Sequence, residues 1–159
     1  MNTSSYTEEN LTEENFTVND YLGEVINHKE EIETVISSLE QNNSAMVLHD
    51  ESGYLWKFQY GSVEVFVQLA GEEEEDLLTV WATVLSLPAK NEPELMKKLL
   101  ELNWSGTFET CFSIFNNQVV VSAQRTLAGL SPSEISRLIT LVANLADDHD
   151  DELQAQYGQ

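Results

Sequence analysis

From Tyr54 to Leu69 the chain alternates with period two. Tyr54, Trp56, Phe58 and Tyr60 fall on one side of an extended backbone, and after Gly61 so do Val63, Val65, Val67 and Leu69, with Glu64, Phe66 and Gln68 between them. Successive side chains of a strand point to opposite faces, so this pattern fits a half-buried antiparallel pair and does not fit a helix. Gly71 and the acidic run Glu72 to Asp76 then make a turn into Leu77 to Leu87, a nearly continuous apolar stretch. Such continuity predicts a central strand covered on both faces. Met46 to His49 adds a short fourth strand if it pairs at all. Two later strands, Thr107 to Phe115 and Gln118 to Thr126, meet at Asn116-Asn117, a short hairpin turn.

Helical spacing frames these strands. Leu22, Val25, Ile26, Ile32, Val35, Ile36 and Leu39 predict an amphipathic helix from Asn19 to about Gln41. A second helix, capped by Asn91, carries Leu95, Met96, Leu99, Leu100 and Leu102 and stops before Gly106. Ser131-Pro132-Ser133-Glu134 is a capping box with proline at the first helical position, opening a last helix with Ile135, Leu138, Ile139, Leu141, Val142 and Leu145 inward. The order α-β-β-β-α-β-β-α, with strands in hairpin-linked runs, predicts an α+β fold: an antiparallel sheet flanked by helices. Residues 1–18 are too polar to offset the entropy of ordering and read as a tail. One domain then spans 19–146, and the carboxylates opposing the helix dipole make 147–159 a second acidic tail.

Charge removes several functions. The 28 Asp and Glu residues against 7 Lys and Arg give a net charge of -21. Nucleic acid and anionic membranes are excluded as partners, because both draw affinity from clustered basic side chains. The acidity reads first as solubility and only second as steering of a basic partner. Cys111 is the only cysteine, and Met1 to Phe16 has neither a basic region nor an apolar run. Both point to a reducing compartment, so a cytoplasmic location is expected.

The chemistry-bearing residues point away from catalysis. Glu72 to Asp76 lacks the staggered ligand spacing of a calcium loop, and Asp147 to Glu152 with His149 is an acidic helix end. His28, His49 and His149 form no metal-ligand pair, and Cys111, on a strand between Thr110 and Phe112, reads as a small core side chain. Nucleophile-elbow, dinucleotide and phosphate-loop motifs are lacking. The expectation is therefore no enzyme, no metal and no cofactor. The aromatic row from Tyr54 to Tyr60 has only Lys57 beside it, which suits packing or a protein interface better than base stacking.

Trp56-Lys57-Phe58-Gln59-Tyr60-Gly61, Leu78 to Leu87 ending in Pro88, Leu99-Leu100-Glu101-Leu102-Asn103, the strand near Phe108, and Leu130-Ser131 ahead of a helix with Ala146-Asp147-Asp148 resemble the YbjN family, its cyanobacterial members in particular. The resemblance implies the type III secretion chaperone-like fold, whose members are small, acidic and often dimeric and hold extended client segments. It supplies no catalytic residues. The expected function is a protein-binding module, chaperone-like or regulatory, with another protein or protein segment as partner and a homodimer as its candidate assembly. Trp104 and Phe108, beside a helix C-terminus, are the candidate binding surface, with core packing as their other reading. The rival function is a small-molecule sensor or minor enzyme with its pocket between helix and sheet.

Overall fold

The computed structural model of the protein describes residues 26–159. In chain order the elements are α1 (His28–Leu39), β1 (Met46–Asp50), β2 (Gly53–Tyr60), β3 (Val63–Leu69), β4 (Leu77–Ser86), α2 (Glu92–Ser105), β5 (Cys111–Phe115), β6 (Gln118–Thr126) and α3 (Pro132–Tyr157). The six strands form one antiparallel sheet in the order β1-β2-β3-β4-β6-β5, so Met46–Asp50 does pair and the first run holds four strands. The expected tail at 1–18 and the expected helical turns from Asn19 to Val25 lie outside the described residues. Within the described residues α1 is capped by Asn27, its side chain accepting from the Glu30 amide at 3.2 Å.

The alternation of β2 and β3 sets the packing. Register pairs Trp56 with Val67, Phe58 with Val65, Val67 with Val80 and Val80 with Ala123, so these side chains share one face. That face is buried: Phe58, Val65, Val67, Leu69, Leu78, Val80 and Val121 are at most 1% exposed. α3 lies across β3, β4 and β6, with α1 packed against α3. Ile135, Ile139, Val142 and Ala146 of α3 and Ile32 of α1 close the core. Each large side chain buried this way contributes about 1.5–3 kcal/mol.

Coverage is one-sided, which corrects the expectation for Leu77 to Leu87. β4 is central, but from Leu77 to Val84 only alternate residues are buried, while Thr79, Trp81 and Thr83 on the other face stay half-buried under no helix. Its apolar continuity arises because Leu77, Trp81 and a register shift near Val84 add apolar side chains outside the inward phase. Thr107 to Thr110 likewise forms a turn ahead of a shorter β5, and Asn91 adopts a left-handed conformation without a side-chain cap. Asn116 and Asn117, both at positive φ, make the hairpin turn where it was expected.

The last helix is the largest departure. Residues 147–157, expected as a tail, continue α3 to Tyr157. Asp150, Leu153 and Tyr157 are 2–3% exposed, extending the inward stripe past the carboxylates, which mostly face outward. The β2–β3 turn docks on this part of the helix. Tyr60 donates to Asn144, the Ser62 amide donates to Asp147 Oδ1 at 2.8 Å, and the Ser62 hydroxyl lies 2.8 Å from Asp150 Oδ1. Gly61 is required there: its φ is +54° and a Cβ would sit 2.1 Å from Asp147 Oδ1. Lys98 reaches Glu152 at 3.0 Å, and the Lys90 amide donates to the Tyr157 carbonyl at 2.8 Å. Together these contacts outweigh the unfavourable helix-dipole term of a few tenths to 1 kcal/mol per charge. Leu153→Ala should therefore cost about 2–5 kcal/mol of unfolding free energy, read from urea denaturation; an unchanged midpoint would mean the last turns hold nothing.

Candidate functional site

A six-stranded open sheet has two edges, and here they are treated in opposite ways. β1 pairs only with β2, and all five of its residues are exposed: Met46 at 61%, Val47 at 51% and Leu48 at 69% stand out because they are apolar. Met46 and Leu48 project on the helix-free face beside Lys57 and Leu55, and Val47 and His49 project on the helix side beside Trp56 and Tyr54. His49 stacks on Tyr54 with ring centroids 4.1 Å apart, and Lys29 of α1 lies 5.1 Å above the same ring. Edge strands are ordinarily guarded by lysine, proline, bulges or a covering element. β1 carries neither lysine nor proline, its register with β2 is unbroken, and no described residue bonds to its outer main chain.

The β5 edge is plugged at one residue, Phe112. Asn103, in the last turn of α2, turns its amide onto that edge: its Oδ1 accepts from the Phe112 amide at 2.7 Å and its Nδ2 donates to the Phe112 carbonyl at 3.2 Å. The side chain thus stands in for a neighbouring strand at one residue. Between α2 and β5 the Thr107–Thr110 turn is tied down by the Thr110 hydroxyl, which donates to the Thr107 carbonyl at 2.7 Å, and by a two-pronged pair of Arg137 with Glu109 at 2.8 and 3.0 Å. Hydrogen bonds from Arg137, then from backbone, hold the Glu109 carboxyl below its ordinary value.

That turn presents Phe108 outward at φ +50° and 76% exposure. A non-glycine residue in this region costs about 1–2 kcal/mol, so the rest of the turn must enforce it. Trp104, on the outer side of α2, is 93% exposed, and Leu100 one turn earlier is 70% exposed. Both residues singled out as a candidate surface, Trp104 and Phe108, therefore lie outside the core. Cys111 is also outside, correcting its expected core position: the alternation of β5 sends Phe112 inward and leaves the thiol exposed, 3.8 Å from the Ser122 hydroxyl.

Between the edges the helix-free face carries an aromatic row. Phe66 and Trp81 stack at 5.2 Å, and Phe115 meets Trp81 edge-on at 5.5 Å. Beside them runs an open groove of about 530 Å³ lined by Thr79, Cys111, Ser113, Val120, Ser122 and Gln124. This groove lies on the face away from the helices, not between helix and sheet. The histidines are dispersed: His49 on Tyr54, His149 edge-on to Phe112 at 5.5 Å, His28 at the start of α1. Among the described residues no group of three or more His, Cys, Asp or Glu side chains is placed to hold a metal ion, and no helix is long and apolar enough to cross a membrane. The sequence marked β1 only as an optional strand; its run of three apolar residues between polar turns was the available signal for an edge. Nothing in the sequence marks the Asn103 plug.

The YbjN family model, described as "Putative bacterial sensory transduction regulator", matches residues 28–155. No curated protein matches the chain. Among solved structures, the ExsC-ExsE complex contains a chain similar at a TM-score of 0.51 and 21% identity, covering 64% of this chain and 77% of that one. The HopA1-SchA chaperone-effector complex contains another at a TM-score of 0.53 and 10% identity, covering 78% and 93%. At these identities the likeness establishes the type III secretion chaperone-like fold.

The turn that displays Phe108 should depend on pH through Glu109. A carboxyl held low in the folded state adds stability above its unfolded pKa and loses it as pH falls through the folded value. Glu109→Gln should therefore lower the thermal midpoint at neutral pH, with the gap to the parent protein closing as pH drops below the ordinary glutamate value of 4.5; a gap independent of pH would contradict the pairing.

Proposed function

The chain belongs to the YbjN family, and on that footing we propose that it is a non-catalytic protein-binding module, chaperone-like or regulatory, which holds an extended segment of a partner protein as an added strand on β1. The observation that carries this reading is the contrast between the two edges: Asn103 plugs the middle of β5 at Phe112, whereas β1 offers its outer main chain uninterrupted between exposed Met46, Val47 and Leu48. An extended segment gains main-chain hydrogen bonds on such an edge, and the alternating side chains on either face set its specificity. The fold likeness supports the same reading, because one of the similar structures is a chaperone in complex with its effector. The protein works in the cytoplasm, where its single cysteine needs no partner.

The second surface, Leu100, Trp104 and Phe108, takes another copy of this chain. α2 carries Lys97 and Lys98 in the same region, paired with Glu101 and Glu152, so little negative charge stands unbalanced beside Leu100 and Trp104. A homodimer through α2 leaves both β1 edges free.

Two experiments separate these roles. Partner capture by tagged protein should be lost in the Met46→Ser, Leu48→Ser double variant, at a cost of about tenfold or more in affinity, and kept in Trp104→Ser, with both variants folded by circular dichroism. Loss in Trp104→Ser alone would place the partner elsewhere. In sedimentation velocity, Trp104→Ser and Phe108→Ser together should convert a dimer to a monomer; an unchanged sedimentation coefficient would remove these residues from the self-contact.

A further inference from the structure

The acidity of the protein is not spread evenly, and its distribution around β1 defines what can bind there. The β1–β2 turn and the β3–β4 turn lie side by side: Tyr54 is paired with Leu69, and a Cβ on Gly53 would meet the Leu69 carbonyl at 2.1 Å. The first turn of α1 joins them, since Asn27, His28 and Lys29 line one depression of about 440 Å³ with Leu69 and Glu72. This end of the sheet carries Glu30 and Glu31 from α1, Asp50 and Glu51 from the first turn, and Glu72, Glu73, Glu74 and Glu75 from the second. Asp76 is occupied within its turn, accepting from the Glu73 amide at 2.9 Å.

Among the described residues no unpaired Lys or Arg stands at that end. Six of the seven Lys and Arg side chains are paired with a carboxylate. Lys29, the basic residue in the first turn of α1, is 3.9 Å from Glu33 and covers the Tyr54 ring. The Asp50 carboxyl is held below its ordinary value by hydrogen bonds from the Ser52 side chain and backbone, so it is charged at neutral pH. The opposite end of β1 differs: Met46 is paired with Lys57, which is itself balanced by Glu64 at 3.3 Å. One carboxylate, Glu40, also stands at that end, accepting from the Ala45 amide at 2.7 Å, so along its five residues β1 runs from an apolar start with a single occupied carboxylate into an end where carboxylates crowd. Repulsion of this kind disfavours an acidic segment and a second copy's identical edge end to end, and attracts one class of occupant.

We infer that the occupant of the β1 edge is a basic extended segment: a short alternating apolar stretch that adds beside Met46 and Leu48, followed by lysines or arginines that overhang the Asp50 end and meet Glu51 and Glu72 to Glu75. This rests on β1 being the partner-binding edge. The apolar part supplies register through the pleat, and the flank supplies polarity, because reversing the segment would move its cations away from the carboxylates.

Labelled synthetic peptides test the idea by fluorescence anisotropy on the full chain. All share one alternating valine–threonine stretch and differ in a flank of lysine and arginine, glutamine or glutamate, placed at either end. The expected result is that one of the two basic peptides binds best, weakening roughly tenfold between about 50 and 300 mM salt. Changing Glu72, Glu73, Glu74 and Glu75 together to glutamine should reduce that affinity and its salt dependence while leaving the circular dichroism spectrum unchanged. Equal binding of the glutamine or glutamate peptide, or binding insensitive to salt, would overturn the basic-segment inference while leaving the edge reading standing. A basic peptide N-methylated at alternate residues cannot add as a strand, so if it binds as well as its parent the edge reading itself fails. No binding by any peptide would overturn both.

Discussion

Covering the sheet on one face only is the constraint from which the rest of this structure follows. Period-two alternation in β2, β3, β4 and β6 gives one continuous apolar face, and α3 with α1 is enough to seal it. All the deeply buried strand residues but Val120 sit on that side or at the register shift. The second face has no helix to bury, so it carries hydroxyls, amides and an aromatic row that shields itself by stacking Phe66 on Trp81. An open sheet built this way also retains two edges, and no closure into a barrel removes them.

How those edges are finished determines what the protein can contact. At β5 a single side chain, Asn103, satisfies both main-chain groups of Phe112, and the adjoining turn is fixed firmly enough to hold Phe108 in a costly conformation. Five of the nine exposed large apolar residues among those described lie between Leu100 and Phe115, and three more are in β1. Apolar exposure is thus concentrated at opposite edges of the sheet. Two separated sticky edges suit two different contacts, and the carboxylates crowded beside β1 distinguish that edge chemically from the other.

Much of this was legible in the sequence because the signals were local. Alternation placed β2, β3 and β6, the Asn116-Asn117 pair placed their last hairpin, and the Ser131 to Glu134 box placed the start of α3. The misreadings share a cause: tertiary partners overrode local chemistry. The carboxylates at 147–152 argue for fraying until Ser62, Lys98 and the buried stripe of Leu153 and Tyr157 are in place. Cys111 and Phe112 differ only in strand phase, which the preceding turn fixes and the composition does not. Exposure of Trp104 and Phe108 was undecidable from periodicity, since an apolar residue on a helix flank reads the same whether it faces the core or a neighbour.

Amide hydrogen exchange resolved to single residues tests the central claim most directly, because it compares the two edges within one molecule. The outward-facing amides of β1 should exchange fast in the free protein and become protected when an extended partner is bound, while the Phe112 amide stays slow throughout because Asn103 accepts from it. Protection that appears at Phe112 and its neighbours instead, with β1 unchanged by the partner, would contradict that claim.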